Sequence, residues 1–273
     1  MKVVCVGECC LDVYEGEAAP RLGGITFNFA IHARRAFGPE AEIHLLSTVG
    51  EDAYHLFAQR LDEAGIHHDL KIGPRTPSIG IRLDEQGDRS FYKYDPGGLL
   101  DWQPSLSQQR IIADADLVVL TRYQEIEPLF NTLLQLPTRG KRVVDFADIA
   151  GASSITGSID VTRTVAAHHH ADVCIFGIPS TADTLDRHLV ALADEHNGMF
   201  VITRGEAGAK AIAQGITYVE PAVPVPEVVD TTGAGDCFAA HFLSEWSQSG
   251  DLQQALVKGC TAASDIVQRL GAN

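Results

Sequence analysis

Short runs of Val, Ile, Leu and Phe recur along the chain and alternate with segments of helical spacing. The runs are apolar throughout, which is typical of strands buried on both faces of a parallel sheet. Between them, apolar residues recur every three or four positions. The predicted strands cover residues 2–7, 42–49, 116–121, 141–146, 173–176 and 199–203. This alternation predicts an α/β fold in which a mainly parallel central sheet lies between two layers of helices.

Two stretches depart from the alternation. Residues 11–22 are short and irregular, and residues 67–95 predict strands around a turn at residues 84–88. We expect these two stretches to form a small β lid beside the core, although an ordinary surface hairpin gives the same pattern. With no repeat or interdomain linker, residues 1–273 are predicted to form a single domain.

Charge and hydropathy exclude several classes of partner. Acidic residues outnumber basic ones 36 to 21, giving a net charge of −15, so the overall field repels nucleic acid. No apolar stretch approaches the roughly 20 residues that a membrane helix needs, and no signal peptide is visible. We therefore expect a cytoplasmic protein with no nucleic-acid or membrane partner, whose six cysteines are reduced.

A glycine-rich turn, DTTGAGD at residues 230–236, runs into a segment of helical spacing. The free N–H groups and positive dipole end of a first helical turn suit phosphate charge, and small residues let a ligand approach the backbone. Asp236 is placed to accept the proton of an attacking hydroxyl. A helix cap beside an ordinary turn is the alternative interpretation.

Two further segments have a composition suited to ligands. Residues 23–28 read GGITFN, where two glycines admit a ligand and the Asn28 amide can both donate and accept hydrogen bonds. Residues 203–208 read TRGEAG and follow an apolar strand. Taken alone, the first is also explained by a helix-capping Asn28 and the second by an ordinary strand turn.

Taken together, DTTGAGDCF at residues 230–238 and GGITFN at residues 23–28 resemble the two signatures of the ribokinase-like, or phosphofructokinase-B, carbohydrate kinases. The resemblance extends over essentially the whole chain. It implies a three-layer ribokinase-like fold with a small β lid. It also implies ATP-dependent phosphorylation of a sugar hydroxyl, with Mg²⁺ as a cofactor.

The resemblance assigns roles to individual residues. Asp236 becomes the catalytic base, with the amides of Gly233, Ala234 and Gly235 holding the transferred phosphoryl group. The matching sugar-binding residues are Asp12, Gly23, Gly24 and Asn28. The matching ATP-binding residues are Thr203, Gly205, Gly208, Thr232, Gly233, Gly235 and Cys260. Small residues around Cys260 leave room for adenine, or permit tight helix packing.

Other family features are implied less directly. Candidates for substrate specificity in the lid and pocket floor are Tyr92, Tyr94, Arg89 and Tyr123, each of which is also explained as a sheet-face residue. A monovalent cation near Asp230 and Thr232 and a homodimer formed through the lid are also found in the family.

The chain departs from the family pattern at its metal-supporting motif. Many relatives carry Asn-x-x-Glu after the fifth predicted strand, where this chain has Gly177 and Ser180. Asp145 or Asp148 is the candidate replacement, with a helix-capping Asp145 as the alternative. This loss, the short chain and the DFAD segment at residues 145–148 are similar to fructoselysine 6-kinases. We therefore expect a ketohexose or fructosamine-type substrate.

Two other functions compete with a sugar kinase. The missing Asn-x-x-Glu motif is compatible with a non-catalytic sugar-binding sensor, against which the intact Asp236 argues. A nucleoside kinase is the second alternative, and it would need a larger pocket. The absence of GxxxxGK[ST] and of GxGxxG after the first strand argues against a P-loop kinase and a dinucleotide dehydrogenase.

Overall fold

The computed structural model describes residues 1–148, 162, 165–196 and 198–273. The strands are β1 (Lys2–Val6), β2 (Cys10–Tyr14), β3 (Arg21–Gly23), β4 (Glu42–Gly50), β5 (His67–Gly73), β6 (Ser78–Leu83), β7 (Arg89–Asp95), β8 (Leu117–Thr121), β9 (Lys141–Asp148), β10 (Val173–Gly177), β11 (Met199–Thr203), β12 (Ala209–Ala213) and β13 (Ile216–Glu220). The α-helices of the described residues are α1 (Ile25–Phe37), α2 (Tyr54–Ala64), α3 (Leu106–Ala113), α4 (Glu127–Leu134), α5 (Asp183–Glu195), α6 (Ala234–Ser249) and α7 (Leu252–Ile266).

Nine strands form the central sheet in the order β13-β12-β11-β10-β9-β8-β1-β4-β5. The seven strands from β11 to β5 run parallel, and β12 and β13 add an antiparallel edge. All six predicted strands are present, so the mainly parallel sheet is confirmed. The antiparallel edge was not predicted, because β12 is short and alanine-rich and β13 is half exposed.

A hydrophobic core lies on each face of this sheet. Along β1, Val3 and Cys5 pack on one face while Val4 and Val6 pack on the other. The first face is covered by α1, α2, α6 and α7, and the second by α3, α4 and α5. Because successive side chains of a strand point to opposite faces, both sets are buried. The three-layer α/β architecture predicted from the sequence is therefore confirmed.

A second, four-stranded sheet has the order β3-β2-β6-β7 and forms the predicted small β extension. The prediction is corrected at one end, because residues 67–73 form β5, which pairs in parallel with β4 in the central sheet. β5 is an edge strand in which Leu70 is the one buried side chain, so it lacks the continuous apolar run of the inner parallel strands. Of residues 67–95, the part that belongs to the small sheet therefore begins at Ser78.

The C-terminal helix, the cysteines and the lengths of the helices also bear on the predictions made from the sequence. The small residues around Cys260 lie on α7, which ends at Ile266, and the Val267 carbonyl accepts hydrogen bonds from the amides of Val229 and Asp230. All six cysteines are free and buried. Within the described part of the chain, no helix is both long and apolar enough to cross a membrane.

Candidate active site

A cleft lies between the carboxyl ends of the central parallel strands and the small sheet. In open α/β sheets this edge is where ligands bind. Most of the predicted site residues line it, namely Asp12, Gly24, Asn28, Tyr123, Asp145, Asp148, Thr203, Thr232, Gly233, Gly235 and Asp236. Motifs more than 200 residues apart in sequence therefore meet in one site.

The DTTGAGD turn forms the N-terminus of α6. Gly233 precedes the helix with a φ of 79°, and a Cβ there would lie 2.5 Å from the Ala272 carbonyl oxygen. Gly235 differs, because a Cβ there would meet no atom within 4 Å. Of the predicted anion-hole amides, that of Ala234 already donates to the Thr231 carbonyl at 3.3 Å. The start of α6 thus presents backbone N–H groups and a positive dipole end to open space in the cleft.

Asp236 lies in the first turn of α6 and is only 8 % exposed. Its Oδ2 accepts a hydrogen bond from Nδ2 of Asn28 on α1 at 3.0 Å. The Oδ1 of Asn28 accepts in turn from Nδ2 of Asn273 at 2.9 Å. Asn273, which the sequence analysis missed, therefore fixes the amide orientation in which Asn28 donates to Asp236.

Burial is the main influence on the pKa values of the carboxyl groups in the cleft. It raises the pKa of Asp236 to about 8, with a further upward contribution from Asp145, while the hydrogen bond from Asn28 opposes the shift. Burial raises the pKa of Asp145 to about 6. The pKa of Asp12 also lies well above its ordinary value, because of burial first and then of the charges on Glu8 and Asp236. A carboxyl with a pKa near neutrality is suited to proton transfer.

Two glycines bring Asp12 against the start of α1. A Cβ on Gly23 would lie 2.0 Å from Oδ2 of Asp12, so only glycine leaves room for this carboxylate. Gly24 has a φ of 98°, and a Cβ there would lie 2.8 Å from the Cys10 amide nitrogen. Both glycines therefore allow the close approach of β2, β3 and α1 that places Asp12 in the cleft.

The predicted nucleotide loop is only partly at the cleft. Thr203 lines it at the end of β11. A Cβ on Gly208 would lie 2.2 Å from the Glu220 carbonyl, so packing against β13 already explains this glycine. Cys260 is buried in the core, and the neighbouring Gly259 faces the ring of Phe238. Tight packing of α7 on α6, the alternative considered for this stretch, is therefore the interpretation that these contacts favour.

Arg89 of β7 connects the small sheet to the glycine-rich turn. Its guanidinium donates to the Thr231 carbonyl at 3.0 Å and to Oδ2 of Asp148 at 2.8 Å. The Gly87 carbonyl accepts from the Thr231 amide at 3.2 Å. The small sheet is thus closed on the start of α6, which gives the lid prediction a physical basis.

Tyr92, a predicted substrate contact, does not line the cleft. Its side chain is 45 % exposed, covers Gly80 and packs under the guanidinium of Arg82. Side chains alternate along a strand, so Arg89 and Phe91 face the cleft while Tyr92 faces away. Tyr94 returns to the cleft because β6 and β7 shift register between Gly80 and Ile81. The prediction for Tyr92 is therefore wrong.

Asp148 fills the space left by the missing side chain at Gly177. A Cβ on Gly177 would lie 2.4 Å from Oδ1 of Asp148. The preceding Ala147 has a left-handed φ of 52° and donates its amide to Oδ1 of Asp145 at 2.8 Å. Asp145 therefore stabilises this local turn, which differs from the helix cap weighed as an alternative. In the ranges 1–148, 165–196 and 198–273, no three His, Cys, Asp or Glu side chains converge as a metal site.

Asp230 is fully buried, and protein donors surround its carboxylate. Oδ2 accepts from the hydroxyl of Tyr14 at 2.7 Å and from the Gly271 amide at 2.9 Å, and Oδ1 accepts from the Thr232 amide at 2.8 Å. The hydroxyl of Thr232 is buried with no hydrogen-bond partner among the described residues. This unsatisfied hydroxyl lies beside the cleft and is suited to a ligand oxygen.

Comparison with known proteins decides the family. The profile described as "pfkB family carbohydrate kinase" matches residues 1–273. The chain belongs to this PfkB family and is a carbohydrate kinase. A fructoselysine 6-kinase of Escherichia coli K12 is 28% identical over 272 residues, covering 98% of this chain and 97% of that protein. Fructosamine kinase FrlD of Bacillus subtilis 168 is 26% identical over 279 residues, covering 100% and 93%. The resemblance stated from the sequence is confirmed.

Solved structures of three kinases share the fold. A fructokinase of Vibrio cholerae O395, in a form bound to fructose, ADP and calcium ion, superposes with a TM-score of 0.76 at 20% identity, covering 99% of this chain and 94% of that one. Adenosine kinase of Sinorhizobium meliloti gives 0.83 at 19% identity, with 100% and 95% covered. Ribokinase of Thermotoga maritima gives 0.70 at 18% identity, with 99% and 93% covered. The fold is therefore ribokinase-like.

Proposed function

We propose that this PfkB kinase transfers the γ-phosphoryl group of ATP to a hydroxyl of a ketohexose or fructosamine-type sugar, with Asp236 as the base. The observation that carries the proposal is the convergence of Asp236, Asn28 and Asp12 in one cleft at the N-terminus of α6. The similarity to fructoselysine and fructosamine kinases supports the substrate class.

In this mechanism Asp12 and Asn28 hold the sugar so that one hydroxyl lies beside Asp236. Asp236 accepts the hydroxyl proton as the oxygen attacks phosphorus. The amide of Gly235 and the positive end of α6 stabilise the charge on the transferred group, and the hydroxyl of Thr232 donates to a phosphate oxygen. Arg89 keeps the small sheet closed over the cleft, which excludes water that would otherwise hydrolyse ATP.

Activity is expected to rise with pH, because Asp236 must be ionised to accept a proton. With its pKa at about 8 in the ligand-free protein, kcat/KM should increase about tenfold per pH unit below that value and level off above it. A pH–rate profile between pH 5.5 and 9.5 measures this increase in kcat/KM. A flat profile across the range would contradict the role of Asp236.

The same carboxyl makes folding stability pH-dependent. Its pKa is higher in the folded state than in the unfolded chain, so the folded state binds the proton more tightly and its free energy of unfolding falls as pH rises toward about 8. In Asp236→Asn this contribution is removed. The decline of Tm between pH 6 and 8.5 should therefore be shallower in the variant than in the wild-type protein.

Mg²⁺ fits the carboxylates at the end of β9. Mg²⁺ takes oxygen ligands and is commonly held by one or two carboxylates together with substrate phosphates, so a site with few protein ligands suits it. We assign the binding of Mg²⁺ to Asp148 and Asp145, which line the cleft beside Gly177, a residue without a side chain. A bound Mg²⁺ would neutralise charge on the phosphates.

Removing the Asp148 carboxylate should weaken the use of Mg²⁺. In Asp148→Asn the Mg²⁺ concentration for half-maximal rate is expected to rise roughly 3- to 10-fold, measured at fixed ATP and confirmed by calorimetric titration of ATP binding with Mg²⁺. The matched control is Arg89→Gln, which breaks the same ion pair but keeps the carboxylate. Equal Mg²⁺ requirements in both variants would contradict the assignment to Asp148.

The proposed function is tested by ADP release over a panel of ketohexoses, fructosamines and nucleosides. Turnover with at least one sugar and none with nucleosides is the expected result. Binding of a sugar without turnover would favour the non-catalytic sensor, and turnover with nucleosides alone would favour a nucleoside kinase. Either of these results contradicts the proposal.

Three further features stay predictions. A homodimer through the small sheet is supported by the exposed apolar side chains of Val13 and Tyr92 on it. A monovalent cation at Asp230 and Thr232 gains no support from the Asp230 carboxylate, which already accepts three hydrogen bonds from the protein. A cytoplasmic location follows from the sequence expectations alone.

A further inference from the structure

Glu8 is a buried acid at the cleft that the proposed chemistry does not use. It follows β1, is 4 % exposed and lines the cleft. Its Oε1 accepts a hydrogen bond from the hydroxyl of Tyr94 at 2.6 Å, and the hydroxyls of Tyr94 and Tyr123 lie 2.8 Å apart. Glu8 and the two phenols therefore form one polar cluster, in which β7 of the small sheet supplies Tyr94.

This cluster contains no positive charge. The structure gives Glu8 no ion pair with a Lys, Arg or His of the described residues, whereas Asp148 nearby pairs with Arg89. Burial raises the pKa of Glu8, the hydrogen bonds from Tyr94 and Tyr123 oppose this shift, and the charge of Glu125 adds to it. A buried carboxylate without a cation is costly. A ligand that brings a positive charge would offset this cost.

The two phenols leave acceptor capacity on Glu8. A carboxylate offers about four acceptor positions, and two phenolic donors fill at most two of them. A protonated amine can donate to the remaining positions in a charge-assisted hydrogen bond, which is stronger than the bond from a neutral hydroxyl. The cluster is thus suited to an ammonium group.

Glu8 and Asp236 are held by different elements of the cleft. In the small sheet Asp12 pairs with Ile79, and Ile79 pairs with Tyr94, whose hydroxyl donates to Glu8. Asp236 lies instead at the N-terminus of α6. A sugar that contacts Asp12 and presents its reacting hydroxyl to Asp236 leaves another of its substituents for Glu8. The ammonium group and the reacting hydroxyl therefore belong to different substituents of the substrate.

We propose that Glu8, with Tyr94 and Tyr123, binds the protonated amine of a 1-amino-1-deoxyketose whose distal hydroxyl faces Asp236. This inference rests on the proposed sugar kinase function and narrows its substrate class. Compared with a neutral sugar of the same shape, the amine should gain roughly 10- to 100-fold in kcat/KM, as expected for a hydrogen bond to a charged group.

The test uses a pair of substrates that differ only in charge, 1-methylamino-1-deoxyfructose and 1-O-methylfructose. The wild-type protein is expected to prefer the amine roughly 10- to 100-fold in kcat/KM. In Glu8→Gln the preference should fall to within about threefold, with little change in kcat/KM for the neutral ether. The control is Glu125→Gln, which removes a nearby negative charge but keeps the Glu8 carboxylate.

The outcomes separate this inference from the function on which it rests. If the wild-type protein phosphorylates both sugars equally well, the amine site is excluded and the sugar kinase stands. An equal loss of the preference for the amine in Glu8→Gln and Glu125→Gln would show that the preference comes from the overall negative charge and not from a contact with Glu8. This result would overturn the proposal. If neither sugar is phosphorylated, both proposals fail. The wild-type comparison needs no variant, so misfolding of Glu8→Gln leaves the test intact.

Discussion

Asp236→Asn is expected to lower kcat by roughly 10²- to 10⁴-fold while sugar binding changes little. Asparagine has nearly the same shape and keeps an oxygen that can accept from Nδ2 of Asn28, so the cleft should keep its geometry. The substituted amide cannot accept the proton of the attacking hydroxyl. Steady-state kinetics with calorimetric measurement of sugar affinity separates these two effects.

Asp12→Asn is the control for that loss. Asp12 is proposed to hold sugar hydroxyls without moving the proton, so its substitution should act mainly on KM and on sugar affinity. A fall in kcat for Asp12→Asn as large as that for Asp236→Asn, with affinity unchanged in both, would contradict this division of roles.

Gly233→Ala and Gly235→Ala are expected to fail in different ways although only one residue separates them. At Gly233 the left-handed φ costs roughly 1–3 kcal/mol of unfolding free energy for alanine, and the Cβ would also collide with the Ala272 carbonyl. At Gly235 the Cβ meets no protein atom, and alanine in a helix is more favourable than glycine by about 1 kcal/mol. Thermal unfolding should therefore report a lower Tm for the first variant only.

The loss of catalytic activity should be informative for Gly235→Ala, the variant that keeps its stability. The Cβ of Gly235→Ala points into the cleft where the phosphoryl group is proposed to lie, so kcat/KM for ATP is expected to fall at least tenfold, roughly the effect of losing one well-placed contact. A fully active Gly235→Ala with unchanged Tm would show that the phosphoryl group lies elsewhere.

The sheet and the two signatures were predictable because each depends on local pattern. Buried parallel strands are apolar throughout, which identified six strands to within about two residues. β5 is a partly exposed edge strand without a continuous apolar run, so its sequence fits the lid, and only its pairing with β4 places it in the central sheet. Which sheet a strand joins is decided by pairing, which a single segment does not encode.

Side-chain partners were less predictable than backbone elements. Tyr92 and Tyr94 differ by two positions, yet a register shift in β6 and β7 turns only Tyr94 to the cleft. Asn273 reaches Asn28 from a position 245 residues away, with no motif to indicate it. Glu8 is one of 36 acidic residues, and it becomes distinctive only through its burial between two phenols. These relations are tertiary, so they appear only once the chain is folded.

The most direct test of the central claim is to identify the product formed by the wild-type protein. In a phosphorus NMR experiment with ATP, Mg²⁺ and a sugar accepted in the ADP assay, we expect a new sugar phosphomonoester resonance that grows in equal amount with ADP. Asp236→Asn under the same conditions should give the same product at a rate lower by roughly 10²- to 10⁴-fold. Formation of ADP with inorganic phosphate instead of a sugar phosphate, or a wild-type rate in Asp236→Asn, would contradict the account.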